Sequence, residues 1–231
     1  MAPLALIYDV HGNLPALEAV LGDARATAAQ RFLLGGDYAL FGPFQSECVA
    51  ALRALSQATW LRGNVDRWAA NPSDLPADDE LLQRAVADCR DTLGVELADE
   101  LGKLPEQVVI GDTRYCHASP ASDMLSFLPE PGDDDDEMLA GAAEQRVVFG
   151  HTHLQFRRNG PGDVELLNPG SVGLPLDGDP RAAYALAGDD GSVELRRVDY
   201  DRDAAIGALQ ERFGDVAWAQ RSVRRLQTSR P

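Results

Sequence analysis

Three short apolar runs punctuate the first quarter of the chain: LALIY at 4–8, RFLLG at 31–35 and ATWLRG at 58–63. Between them, LPALEAVLGDARATAAQ (14–30) and FQSECVAALRALSQ (44–57) repeat apolar residues at helical spacing, and Pro15 is tolerated in a first turn. Strands separated by helices at this spacing predict a parallel sheet with crossover helices. That expectation directs attention to one place, because an open parallel sheet binds its ligands where the strands end.

The loops that follow the strands share a composition. They read YDVHGN (8–13), GGDY (35–38), RGNVD (62–66), CHASP (116–120) and GHTH (150–153). The chain has four histidines, His11, His117, His151 and His153, and all four stand in these loops with Asp9, Asp37 and Asn64. Residues two apart in an extended segment project to the same side, which predicts that Asp9 pairs with His11 and His151 with His153. Glycines at 12, 36, 63 and 150 let the backbone turn where a Cβ would crowd a ligand. Seven mixed imidazole, carboxylate and amide ligands exceed the set of a single open catalytic metal and suit two divalent ions. Asp37, alone in its loop, is the expected bridge. Nitrogen and oxygen donors admit manganese, iron, cobalt, nickel or zinc, with manganese the leading expectation.

The rest of the chain carries less. NPSDLPADD (71–79) reads as a linker, ELLQRAVADCRDTLG (80–94) as a helix, and 107–117 as a hairpin around Gly111-Asp112. Residues 118–137 form a long polar loop of the kind that makes lids. The DDDDE run at 133–137 is expected as the solvated first turn of a helix reaching Ala143. RVVFG, LQFRR, DVELLN and the runs within 182–198 are expected as an antiparallel meander, closed by a helix at 201–212. The basic tail RSVRRLQTSR (221–230) reads as a solvated final helix. No second domain and no repeat is visible, so residues 1–231 are expected as one domain. A chain of this length buries roughly three-quarters of the surface it exposes when unfolded.

The ordered series DVH, GGD, GN, H and GHTH resembles the signature of the calcineurin-like metallophosphoesterases, from Asp9 to about Ser171. NPGS at 168–171 resembles the small bacterial and archaeal phosphoesterase branch. The resemblance implies a four-layer α/β/β/α sandwich. It also implies one metal held by Asp9, His11, Asp37 and His153, and a second held by Asp37, Asn64, His117 and His151. The implied reaction is hydrolysis of small phosphodiesters or phosphomonoesters, with a hydroxide bridging metals about 3.5–4 Å apart attacking phosphorus in line. Many members place a histidine after the Gly-Asn of the third motif to assist the leaving group. Here Val65 takes that position, so leaving-group protonation lacks an imidazole.

Other roles remain open in the sequence. The Asn64 amide is a candidate for stabilising the transition state. Asp66 could act as an acid through water or pair with Arg67 or Arg62. Asn13 could touch the phosphate or cap helix 14–30. Tyr38 could join Phe41 and Phe44 in an aromatic substrate wall or pack in the core. A non-catalytic protein-interaction scaffold on the same fold is the alternative in another class. Protein phosphatase and dinucleoside polyphosphate hydrolase are alternatives among enzymes.

Charge and composition narrow the partners. Lys and Arg number 21 against 37 Asp and Glu, a formal net charge of −16. That balance disfavours a nucleic-acid polymer, whose binding needs a cationic face that releases counterions. It leaves bound metal to supply positive charge for a small phosphorylated substrate. No apolar run approaches the ~20 residues of a membrane span, and MAPLALIYDV lacks the basic start of a signal peptide. Cys48, Cys89 and Cys116 are an odd, scattered set expected as reduced thiols, which fits a cytoplasmic protein.

Overall fold

The computed structural model describes residues 2–231. The first sheet holds β1 (Leu4–Ile7), β2 (Arg31–Leu34), β3 (Ala58–Trp60), β9 (Ala182–Ala187) and β10 (Val193–Val198), in the order β10-β9-β1-β2-β3. Pairing of β1 with β2 and of β2 with β3 is parallel, as the helical spacers require. The crossovers are α1 (Leu14–Ala26) and α2 (Gln45–Arg53).

The second sheet holds β4 (Gln107–Ile110), β5 (Thr113–Cys116), β6 (Arg146–Val148), β7 (Gln155–Asn159) and β8 (Glu165–Pro169), in the order β4-β5-β6-β8-β7. The expected antiparallel meander holds for β7 with β8 and for β9 with β10, and is corrected elsewhere. β6 lies parallel to both β5 and β8, and β9 and β10 return to the first sheet, where β9 is antiparallel to both β1 and β10. β9 is apolar on both faces, which suits a strand covered on two sides.

The layers follow from alternation along each strand. In β1, Ala5 and Ile7 face the helices, while Leu4, Leu6 and the following Tyr8 enter the space between the sheets with Leu33, Tyr115, Val148 and Leu167. The helical side of the first sheet carries the larger core, including Leu17, Val20, Leu34, Cys48, Leu52 and Trp218. Outside the second sheet, Val147, Phe149 and Leu166 pack under Phe127 and Met138. The outcome is the α/β/β/α sandwich, with a thin outer layer of mostly irregular chain.

That outer layer changes the reading of 118–137. Phe127 is fully buried, and Ser126 Oγ donates to the carbonyls of Ala118 and Gly150. The segment is pinned to the sheet. Its acidic run forms one short helix, α6 (Asp135–Met138), which stops well before Ala143. Asp135 itself is buried and paired with Arg158 at 2.8 Å, so it is not a solvated residue.

Several helices differ from the expected spans. α1 stops at Ala26 because Thr27 Oγ1 donates back to Ala24 O at 2.8 Å and Ala28 turns to φ 60°. α3 (Asn64–Ala70) and α5 (Val95–Gly102) occupy stretches not read as helical, and α4 is Glu80–Leu93. After β10 come α7 (Arg202–Phe213) and α8 (Ala217–Thr228). No helix of the described residues is long and apolar enough to cross a membrane.

Candidate metal centre

Five loops meet at the carboxyl ends of β1, β2, β3, β5 and β6. The first two are locked in register: Asp9 N–H donates to Gly36 O at 3.2 Å, His11 N–H to Asp37 O at 2.9 Å and Gly12 N–H to Tyr38 O at 3.0 Å. These residues are not in extended backbone, which corrects the expected alternation: Asp9 and His11 still meet, but His151 and His153 do not. Asp9, His11, Asp37, His151 and His153 all take left-handed φ values between 47° and 67°. Each such residue costs roughly 1–2 kcal/mol without glycine's freedom. Strain of this kind collects where surrounding structure fixes a functional side chain.

The left-handed turns separate the neighbours His151 and His153. Asp9, His11 and His153 form one group, and Asp37, His117 and His151 form another, with ligand-capable atoms within 4.8 Å inside each. Asp37 Oδ2 lies between the groups, 3.7 Å from His11 Nε2 and 3.5 Å from His117 Nε2. Asn64 Oδ1 joins the second group, 2.9 Å from both His117 Nε2 and His151 Nδ1. All seven residues named from sequence therefore converge. Two glycines make the approach possible: a Cβ on Gly63 would sit 2.1 Å from Asp37 Oδ1, and one on Gly150 would sit 2.5 Å from Asp9 Oδ2.

Backbone contacts orient the candidate ligands. His117 Nδ1 donates to Gly35 O at 2.9 Å and His153 Nδ1 to Leu174 O at 2.6 Å, which aims each Nε2 inward. Val65 N–H donates to Asp37 Oδ1 at 3.0 Å, leaving Oδ2 for the space between the groups. Ser171 Oγ donates to Asp9 O, and the Asn168 amide donates to Gly150 O and Thr152 Oγ1. The NPGS segment thus props the first and last ligand loops.

Burial and neighbouring charge set the protonation states. Burial, with Asp37 nearby, pushes Asp9 up to about 8. Asp37 is held well below the usual carboxylate range: burial opposes its charge, but His117, His11 and His151 outweigh it. Burial works against a charged His117 too, yet the Asp37 carboxylate raises it to about 10. His151 is lowered to about 4 by burial and by His117, and His153 is lowered by burial and by His11.

These groups fit divalent cations. Asp9 Oδ1 is buried without a hydrogen-bond partner and faces His153 Nε2 at 3.6 Å, while His11 Nε2 lies 3.7 Å from Asp37 Oδ2. Buried lone pairs converging from carboxylate, amide and imidazole are poorly satisfied by protons alone. They are what a cation in each group would bind. The donors are nitrogen and oxygen throughout; the three cysteines are free and buried, and none belongs to either group.

The other predicted residues lie elsewhere. Tyr38 is fully buried and its hydroxyl donates to Leu34 O and Leu61 O, so it belongs to the core. Of the expected aromatic wall, Phe41 lines the cavity over the metal groups, a space of roughly 390 Å³. Asn13 caps α1, accepting from Ala16 N–H at 3.3 Å and donating to Gly173 O, and touches no open space. Asp66 pairs with neither arginine. Arg67 binds Asp123, and Arg62 binds Glu106. The buried Asp66 carboxylate instead accepts the backbone N–H groups of Gly63 (2.8 Å), Asp37 (2.9 Å) and Tyr38 (3.3 Å), tying the β2 and β3 loops together.

The cavity also has walls that sequence reasoning missed. Trp68, Leu81, Leu82, Met124 and Leu176 supply apolar surface, and Arg221 and Arg225 of α8 reach it from the C-terminus. The available signal was the i, i+4 arginine spacing on a helix where both arginines flank the stripe of Trp218, Ser222 and Leu226.

Comparison with known proteins agrees with this geometry. Residues 3–190 match the calcineurin-like phosphoesterase superfamily domain. The structure of a metallophosphoesterase from Sphaerobacter thermophilus matches with a TM-score of 0.82 and 27% identity, covering 99% of each chain. A hypothetical protein from Pyrococcus horikoshii OT3 shares the fold at 17% identity, with a TM-score of 0.82 over 95% of this chain and 97% of its own. An uncharacterised protein of Methanocaldococcus jannaschii is 28% identical over 217 residues, 86% of this chain and 88% of that protein.

Proposed function

This chain belongs to the calcineurin-like phosphoesterase superfamily, and we propose that it is a two-metal hydrolase of small phosphodiesters or phosphomonoesters. The observation that carries the reading is Asp37 Oδ2 standing between two buried histidine-carboxylate groups. In this proposal Asp9, His11, Asp37 and His153 hold one divalent cation, and Asp37, Asn64, His117 and His151 hold the other. Bound there, the ions supply positive charge that acidifies water and stabilises the phosphoryl transition state.

The chain's own residues do the rest. Asp37 spans both sites because Val65 N–H restrains its other oxygen. Asn64 lines the cavity, and among the described residues its amide nitrogen has no partner, so it is free to donate to a non-bridging phosphate oxygen. Asp66 holds the ligand loops in place and does not serve as the acid, since its oxygens are occupied by backbone N–H groups. Val65 is buried against the site and offers no proton to a leaving group. The net negative charge favours a small substrate over a nucleic-acid polymer. Three buried free thiols suit a reducing compartment such as the cytoplasm.

The decisive experiment is hydrolysis of bis-p-nitrophenyl phosphate and p-nitrophenyl phosphate by chelated protein, with and without added Mn²⁺. Metal-dependent turnover abolished by Asp37→Ala is the expected result. No turnover with Mn²⁺, Ni²⁺, Co²⁺ or Zn²⁺ would overturn the enzyme reading in favour of a scaffold.

A further inference from the structure

The C-terminal helix brings two cations to the cavity mouth. Arg221 and Arg225 stand one turn apart on α8 and line the same space as His11, Asp37, Asn64 and His153. In a chain with 37 acidic residues, most arginines near the surface find a carboxylate, as Arg67, Arg84, Arg196 and Arg212 do. These two do not. Among the described residues neither guanidinium makes an ion pair or side-chain hydrogen bond, and Arg225 Nε is buried without any partner. Asp79 also borders the cavity, but its carboxylate caps α4 by accepting Leu82 N–H at 2.8 Å.

The helix that carries the pair is firmly placed. Trp218 is buried and its indole N–H donates to Asp88 on α4 at 2.8 Å, and Leu226 is buried on the same face. Burial and the nearby charge of Arg221 both disfavour the protonated form of Arg225. Arg225 is half-buried and Arg221 is exposed one turn away at the mouth; two such groups without a carboxylate partner are complementary to a dianion, which can accept a fork of N–H groups from each. Phe41 and Trp68 lie on the same cavity and offer a face for the body of a ligand.

We propose that Arg221 and Arg225 bind a second phosphate group of the substrate, so that the enzyme favours phosphoesters of molecules carrying another phosphate. This rests on the phosphoesterase reading above and names the substrate class of that site. The scissile phosphate occupies the metal groups, the apolar wall covers the body, and the arginine pair takes the distal phosphate.

The test uses two chromogenic diesters that differ by one group: thymidine 5′-(p-nitrophenyl phosphate) with and without a 3′-phosphate. Water cleaves the same P–O bond and releases p-nitrophenolate in both. The expected ratio of kcat/KM is at least about tenfold in favour of the 3′-phosphorylated ester, the scale of one hydrogen-bonded charge contact. The Arg221→Gln/Arg225→Gln double substitution brings that ratio close to one, while Arg224→Gln, on the same helix but away from the cavity lining, keeps it. A ratio near one in the unsubstituted enzyme, or one unchanged by the double substitution, overturns the proposal. If neither ester is hydrolysed with any metal, the phosphoesterase reading fails, and binding still decides the subsite. In calorimetry of thymidine 3′,5′-bisphosphate with chelated protein, the double substitution is expected to raise Kd at least about tenfold. Equal or undetectable binding in both proteins counts against it.

Discussion

The Nε2 atoms of His11 and His153, 142 residues apart in sequence, lie 3.1 Å from each other. Leu174 O fixes the His153 ring through Nδ1, so its inward nitrogen carries a lone pair. The buried Asp9 Oδ1 faces the same point without a hydrogen bond. Imidazole and carboxylate donors thus converge on one point, which a divalent cation would occupy.

Metal should therefore stabilise the fold directly. An ion at a hundred times its Kd adds about 2.7 kcal/mol, and each kcal/mol moves Tm by about 2–4 °C in a domain of this size. Scanning calorimetry of chelated protein before and after adding Mn²⁺, Zn²⁺, Co²⁺, Ni²⁺ or Fe²⁺ is expected to show a rise of several degrees for at least one ion. A flat Tm across the series would mean that neither group binds metal.

Asp37→Asn removes the charge between the two groups while keeping the shape. Loss of residues that merely support a metal ligand already costs about 10–100-fold in affinity or activity. The substitution is expected to exceed that range in turnover and to lower bound metal below two ions per chain by elemental analysis. Two retained ions would show that Asp37 is not shared.

Without metal, stability should fall as pH rises through the alkaline range. His117 is raised from its ordinary value of 6.5 to about 10 by the Asp37 carboxylate, against the opposing effect of burial. The folded chain thus binds a proton that the unfolded chain has lost between those values. That stabilisation is complete below 6.5 and disappears as pH climbs toward 10, at no more than about 1.4 kcal/mol per pH unit for one proton. Urea unfolding of chelated protein from pH 6.5 to 10 measures it. For the same reason metal binding near pH 8 should release a proton, seen as a buffer-dependent heat.

Asp66 and Tyr38 adjoin the site yet stabilise it in different ways. Asp66→Ala strands three buried N–H groups, including that of Asp37, and is expected to cost about 3–5 kcal/mol with a loss of turnover. Tyr38→Phe removes a hydroxyl that donates only to Leu34 O and Leu61 O. Its expected cost is about 1 kcal/mol with kcat/KM unchanged. Impaired turnover in folded Tyr38→Phe would return Tyr38 to the substrate site.

Val65 at the position of a proton donor should make rate depend on the leaving group. Aryl phosphates are expected to react faster than alkyl phosphates by about 10²-fold or more, the usual contribution of a general acid. A leaving-group series measured under one set of metal conditions tests this. Comparable aryl and alkyl rates would require an acid supplied from elsewhere.

Local patterns were enough for part of this. The βαβ start, the α/β class and the seven residues that converge on the site could be read because strand, helix and metal-ligating chemistry each depend on residue type at short spacing. His11, His117, His151 and His153 needed no fold to be singled out. Tertiary structure decided what depends on contacts between distant segments. The parallel placement of β6 and the return of β9 to β1 are pairings across long separations, to which a local apolar pattern is indifferent. Left-handed backbone at Asp9, His11, Asp37, His151 and His153 is held by bonds between loops, so spacing alone predicted the wrong local geometry. Asp66 and Tyr38 look like site residues beside GGD and GN, and only their hydrogen bonds to distant backbone assign them to the frame. Arg221 is exposed, as a solvated tail predicts, but the docking of Trp218 against α4 brings it and Arg225 to the rim of the cavity beside the candidate ligands. A side chain's chemistry is written in the sequence; the groups it meets, and the solvent it loses, are set by the packing of the whole chain.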